Sequence, residues 1–265
     1  MTSANLAGIT SVVKVATWNV NSVKARLERV QSFLHRERPD ILCLQELKCV
    51  DEAFPYEAFR TLGYEATVHG QKTYNGVAIL SREAPSEVAR GFQDSADDPA
   101  ARYVVARFGE ISVASVYVPN GQSVGSEKYQ YKLEWLSRFK RRLEQGLPPR
   151  MIICGDFNIA PDERDVYDPK AWEGQVLFSE PEKSALEKLL SLGLVDTFRQ
   201  HHSEPGLYTW WDYRQLGFPK NRGLRIDFIL ATPLLSRDCR ESRIDREERK
   251  GTGASDHAPV ISVFS

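Results

Sequence analysis

Asp256 and His257 are neighbours in the segment SDHAPV, Ser255–Val260. Adjacent side chains of a regular strand point to opposite faces, so these two reach one place only from an irregular stretch of chain. An acid and an imidazole delivered together suit water activation and proton transfer beside a metal. Other polar residues fall at the ends of apolar runs: Asn19 after VATW, Glu46 after ILCLQ, Asn120 after SVYVP with Tyr117 just inside it, Asp156 and Asn158 after MIICG. Each alone is an ordinary turn residue. Five segments that bring acids, amides and an imidazole to strand ends form the pattern of a site, because α/β sheets gather ligands there. Asp227 is sharper still, since it interrupts the apolar run LRIDFILA. A buried carboxylate needs a partner. His257 is one candidate, which would leave Asp256 free to face a metal or water; Arg225, in a surface ion pair, is the other.

Elements that could position these residues are legible in the apolar pattern. Strand-like runs occupy 12–18, 41–44, 76–80, 111–118, 151–154, 226–230 and 259–264, several of them continuous, as in strands covered on both faces. Between the first two, Val23, Leu27, Val30 and Leu34 recur at helical spacing, with Ser22 as N-cap and Pro39 as stop. A second strand-helix-strand unit follows, its helix starting near Ser126 with Tyr129, Leu133, Leu136 and Leu143 on one side. Ser179 and Glu182 have capping-box spacing and announce a third helix, with Gly193 suited to its C-terminal turn. No low-complexity stretch separates the halves, so residues 14–265 read as one domain preceded by a flexible arm, 1–13.

The composition is that of an ordinary soluble protein: 265 residues, 42% hydrophobic and 27% charged. No run approaches the ~20 apolar residues of a membrane span, and the N-terminus lacks the basic region of a signal peptide. The four cysteines show no CxxC spacing and read as reduced thiols of a cytoplasmic protein. A net charge of −1 offers no global argument for nucleic acid, so any such case must come from local clusters. YTWWDYRQLGFPKNRGLR, which mixes aromatics with Lys220, Arg222 and Arg225, is one, and Trp210 there is either a stacking surface or core.

The ordered set ATWNVNSVKAR, LCLQELK, HGQKTYNGVAILSR, VYVPNG, ICGDFNIAP, GLVDTFR, YTWWDYR, NRGLRIDFILA and SDHAPV resembles the exonuclease III type of apurinic/apyrimidinic endonuclease, from about Lys14 to the C-terminus. The resemblance implies an α/β fold, a four-layer αββα sandwich of two packed mixed β-sheets flanked by helices. It also implies a Mg²⁺-dependent phosphodiesterase, with Mn²⁺ as an alternative ion, acting as a monomer on double-stranded DNA with abasic sites or blocked 3′ ends. Carried over by position, Glu46 is the main metal carboxylate with Asn19, Asn21 and Asp256 near the ion. Some relatives carry an acid where Asn21 stands. Asp156 positions or activates the attacking water with Asn158 beside it, Tyr117 contacts the scissile phosphate or leaving group, and Asp227 and His257 form a pair. Trp210 matches an aromatic that packs on a baseless sugar, and Leu224 and Ile226 match apolar walls. Arg90, Asn120, Lys128 and Arg222, with Lys24 and Arg26, are expected along the DNA backbone, and segment 162–175 near the DNA.

The same fold hosts deoxyribonuclease I-like nucleases, inositol polyphosphate phosphatases, sphingomyelinases and deadenylases, which share the metal and histidine residues. YTWWDYR and NRGLRID point to the abasic-site branch. A non-catalytic DNA-binding relative is a rival of another class, and metal-dependent turnover separates the two.

Overall fold

The computed structural model describes residues 12–96 and 98–265. The expected N-terminal arm lies outside these residues as far as position 11; Val13 already belongs to the first strand. Two mixed six-stranded sheets pack face to face with helices outside.

One sheet holds β1 (Val13–Asn19), β2 (Ile41–Gln45), β3 (Glu65–His69), β4 (Val77–Ser81), β13 (Cys239–Ile244) and β14 (Val260–Phe264), in the order β13-β14-β1-β2-β4-β3. The other holds β5 (Glu87–Arg90), β6 (Tyr103–Phe108), β7 (Ile111–Tyr117), β8 (Met151–Asp156), β9 (Val195–Asp196) and β12 (Asp227–Ala231), in the order β5-β6-β7-β8-β12-β9. Each has one parallel pair at its centre, β1 with β2 and β7 with β8, and antiparallel neighbours around it. A parallel pair needs a crossover. Helices α1 (Leu27–Glu37) and α3 (Glu127–Glu144) supply the two, which confirms both strand-helix-strand units.

Runs such as ILCLQ, ISVASVY and DFILA are buried at every residue because one face meets the opposite sheet and the other meets helices. Val15, Cys43, Val113, Ile152 and Ile229 fill the space between the sheets. Trp18, Phe33 and Leu34 seal α1 on its sheet, while Trp135, Phe139 and Leu186 seal α3 and α5 (Glu180–Leu190) on the other. Gln45 bridges the sheets through the core by donating from Nε2 to Thr17 Oγ1 (3.0 Å) and to Ser115 Oγ (3.1 Å). All four cysteines are free and buried, and among the described residues no helix is long and apolar enough to cross a membrane.

Two local expectations change. Helix α1 begins at Leu27 rather than after Ser22, and its N-cap Arg26 makes no side-chain cap. The reason is that residues 20–23 keep pairing with the end of β2 and the chain just past it: Val20, Ser22 and Val23 N–H groups donate to the carbonyls of Gln45, Glu46 and Leu47. Leu133 is only half-buried, because the buried face of α3 runs instead through Tyr129, Lys132, Trp135, Leu136, Phe139 and Leu143. Ser126 caps α3 by accepting from the Tyr129 N–H (3.1 Å), and the Ser179–Glu182 capping box forms as the spacing predicts.

Candidate active site

The parallel centres of the two sheets end at the same edge, where strand exits turn through left-handed residues. Asn21 (φ 46°) and Ser22 (φ 91°) follow β1, Glu46 (φ 53°) and Lys48 (φ 55°) follow β2, and Asn158 (φ 50°) follows β8. Such conformations cost energy in residues with a Cβ and persist where surrounding contacts over-determine them. Here those contacts join the two sheets. The Asn19 amide donates to Glu46 Oε1 and Asp156 Oδ2, both at 2.9 Å, so one side chain bridges carboxylates from opposite halves of the sandwich.

Asp156 is buried among fixed donors. Its Oδ1 accepts from the Asn158 N–H (2.8 Å), its Oδ2 also accepts from Asn158 Nδ2 (3.2 Å), and His257 Nε2 stands 3.8 Å from Oδ2. The other imidazole nitrogen, Nδ1, meets Asp227 Oδ2 at 2.9 Å. Asp227 therefore has the histidine partner. Arg225, the alternative, is buried on Asp165 and Asp196 instead. Burial pushes the Asp156 carboxyl up to about 7, against the pull of His257. Burial opposes the charge on His257, but Asp227 and Asp156 outweigh it and raise the ring to about 10. Tyr117 rises well above the usual phenol value, chiefly through burial and then through the charges of Glu46 and Asp156.

Asp256 and His257 serve separate places because the chain there is irregular. Ser255 ties the segment down by donating to the Asn19 carbonyl (2.7 Å) and accepting from the His257 N–H (3.2 Å). A two-stranded ribbon, β10 (Trp210–Trp211) with β11 (Gly223–Leu224), bridges to His257 through Trp210. Asp256 Oδ1 accepts from Asn21 Nδ2 (3.0 Å) and Oδ2 from Trp210 Nε1 (3.1 Å). Asn120 Nδ2 donates to Asn158 Oδ1 (3.0 Å), so it joins the same network.

The remaining sequence candidates are placed differently. Arg90 is exposed on edge strand β5 and donates to the Val68 carbonyl (2.8 Å); Lys128 is exposed in the first turn of α3. Neither bonds to the cluster. Leu224 and Ile226, expected as pocket walls, are 0% and 1% exposed, because they pack into a small core with Val166, Leu177 and Phe178 against which Trp210 lies. Arg26 is turned inward, donating to the Asn21 carbonyl (2.8 Å) and to Tyr213 Oη (3.0 Å). Arg222 does face the ribbon's outer side, where a cleft of ≈ 330 Å³ is lined by Trp210, Tyr167, Trp172 and Arg214. Segment 162–175 thus forms one wall of that cleft, anchored by Asp165 on Arg225 and Arg199.

Three residues of the site escape the sequence reading. Lys48 pairs with Glu46 Oε2 (2.9 Å) and Arg102 lies over the Tyr117 ring (4.7 Å), although a cation next to an acid or an aromatic is too common to stand out. Lys132 is fully buried behind the site, hidden in a helix rich in charge.

The oxygen donors suit a hard cation. Carboxylate oxygens of Glu46 and Asp156 lie within 4.8 Å of each other, and Asp227 Oδ1 is buried without a partner, while the His257 ring, charged on Asp227, stands beside them as a cation rather than a ligand. Carboxylates, an oriented imidazole and a phenol at the shared edge of a two-sheet sandwich are the equipment of a metal-assisted hydrolase.

Residues 16–257 match the model of the Endonuclease/Exonuclease/phosphatase family. Exodeoxyribonuclease III of Haemophilus influenzae is 34% identical, covering 95% of this chain and 100% of its own length. A solved structure of a variant of the 3′ phosphatase NExo from Neisseria, bound to product DNA hairpin, superimposes with a TM-score of 0.93 at 41% identity, covering 96% of this chain and 99% of that one. An AP endonuclease from Archaeoglobus fulgidus gives a TM-score of 0.92 at 39% identity over the same shares. The chain belongs to the endonuclease/exonuclease/phosphatase family, as a hydrolytic nuclease of the exonuclease III type.

Proposed function

We propose that the protein is a DNA repair nuclease that hydrolyses the phosphodiester 5′ to an abasic site in duplex DNA, leaving a 3′-hydroxyl and a 5′-phosphate. Trimming of 3′ ends, as exonuclease and as phosphatase, uses the same site. The observation that carries this reading is the Asn19 bridge, which presents Glu46 and Asp156 together beside the Asp227–His257 pair. A phosphodiester resists attack because its anionic oxygens repel a nucleophile and its leaving oxygen is strongly basic. Mg²⁺, or Mn²⁺ in its place, held by Glu46 with Asn19, Asn21 and Asp256 close by, supplies charge to offset both.

Asp156 takes the proton of the attacking water. Burial has lifted its carboxyl to about 7, near the pH at which such a base works best. Asn158, bonded to both Asp156 oxygens through its backbone and side-chain N–H groups, fixes the direction of that carboxylate. His257, charged through Asp227, and the protonated phenol of Tyr117 face the oxygens on which negative charge builds. Trp210, held on Asp256, offers its ring to the baseless sugar, with Leu224 and Ile226 as rigid backing. Exposed Arg90, Lys128 and Arg222 track the duplex, and the enzyme works as a monomer in the cytoplasm.

The test uses a labelled duplex with one central abasic-site analogue, with and without Mg²⁺, beside an undamaged duplex with a recessed 3′ end. Metal-dependent internal incision is expected, with slower shortening of the second substrate. No cleavage of either duplex would overturn the nuclease reading in favour of a different phosphoesterase substrate or a binding role.

A further inference from the structure

Lys132 and Glu182 are both wholly buried, and they form an ion pair between α3 and α5. The ammonium has three protons and three acceptors: the Glu182 carboxylate, the Asn120 carbonyl (3.1 Å) and the Asn158 carbonyl (2.6 Å). Those carbonyls belong to the loops that leave β7 and β8. Their side chains continue the chain of bonds, from Asn120 to Asn158 and from Asn158 to Asp156. The surroundings are shaped around the lysine stem. Gly121 (φ 93°) lies against it, where a Cβ would meet Lys132 Cδ at 3.1 Å and Val176 Cγ2 at 3.3 Å. Glu182 is fixed in turn by the Leu177 and Ser179 N–H groups, at 3.0 and 3.1 Å.

A buried ion pair is a poor device for stability, since apolar side chains of similar volume often do as well or better. An apolar side chain cannot hold two carbonyls from separate loops at one point. We propose that Lys132 is a positioning residue for hydrolysis, clamping the Asn120 and Asn158 loops together so that Asn158 keeps Asp156 aimed at the attacking water. This rests on the role given to Asp156 above. Side-chain bonds from Asn158 to Val118 and from Asn120 to Asn158 align the two loops, and the lysine adds the one contact that holds both loop carbonyls at a single point.

The double variant Lys132→Met/Glu182→Gln removes both charges and leaves one amide oxygen to accept from either the Leu177 or the Ser179 N–H group, a loss that the single variant shares and that cancels in the comparison. It is compared with Glu182→Gln alone, which loses the charge pair and keeps both carbonyl bonds. Thermal unfolding, DNA affinity in EDTA, kcat and KM are measured for each on the abasic duplex and on the recessed duplex. The double variant is expected to fold, bind DNA as the single variant does and lose about 10²-fold in kcat at unchanged KM, the scale of a misplacement near 1 Å. A kcat within about twofold of the single variant, or a loss confined to KM or to the folded fraction, would overturn the proposal. A wild-type enzyme that shortens the recessed end but spares the abasic duplex would sink the endonuclease reading alone, and the comparison then stands on the recessed substrate.

Discussion

Asp227 fixes His257 through the 2.9 Å bond to Nδ1, and the charge of the ring follows from that contact. Because the folded ring titrates near 10 against an ordinary 6.5, its imidazolium contributes stability that is fully present below about 6.5 and lost as pH rises through about 10. Asp227→Asn should therefore flatten the fall in stability across that window, as read by urea unfolding of the metal-free protein at pH 6.5 and 10. The same variant should cut kcat by about 10²- to 10⁴-fold, as when a histidine loses the carboxylate that orients it. Wild-type turnover in Asp227→Asn would remove the pair from the mechanism. At this scale the sequence was informative where a residue broke a pattern. Asp227 stood out in an apolar strand, whereas Arg26, basic among basic neighbours, gave no sign that it would turn inward to bond Asn21.

Gly155, one residue before Asp156, lies opposite Val116 in the parallel pair of β7 and β8. A Cβ there would stand 1.9 Å from the Val116 carbonyl oxygen, inside any tolerable contact. Gly155→Ala must push the two parallel strands apart and should cost at least about 3 kcal/mol in denaturant unfolding, the upper range for overpacking, with loss of activity beyond the loss of folded protein. A variant as stable as wild type would show that the strands can separate freely. The central strands were legible because both faces are buried. The four edge strands, β3, β5, β9 and β13, were not, since EVAR is largely exposed and CRESRI carries too few apolar residues to show a period; interior strand β6 was missed as well, because Arg107 breaks its apolar run YVVARF. Helix α1 was legible except for its start, which pairing across two loops decides.

The whole chain carries a net charge of −1, so affinity for a polyanion must come from how the charge is distributed. Exposed Lys24, Arg90, Lys128 and Arg222 provide cations, while Lys132, Arg138 and Arg225 are buried on acids and unavailable to DNA. Binding to a duplex in EDTA should then weaken steeply with salt, by about 10²-fold or more between about 50 and 200 mM, since each phosphate contact contributes a slope of about −0.9. Anisotropy titrations at several salt concentrations measure the slope, and a flat response would contradict backbone tracking.

The order of strand-helix-strand units, the acids and amides at the strand ends and the need of Asp227 for a partner were all determined by the sequence itself, because local periodicity and the cost of burying charge act on neighbouring residues. Only the tertiary structure decided that Asn19 would join Glu46 to Asp156, that Leu224 and Ile226 would be sealed behind Trp210 and that Lys132 would be drawn inside to two loop carbonyls. Those outcomes depend on how two sheets, far apart in the chain, are registered against each other through the core, and that registration is a property of packing that no single segment encodes.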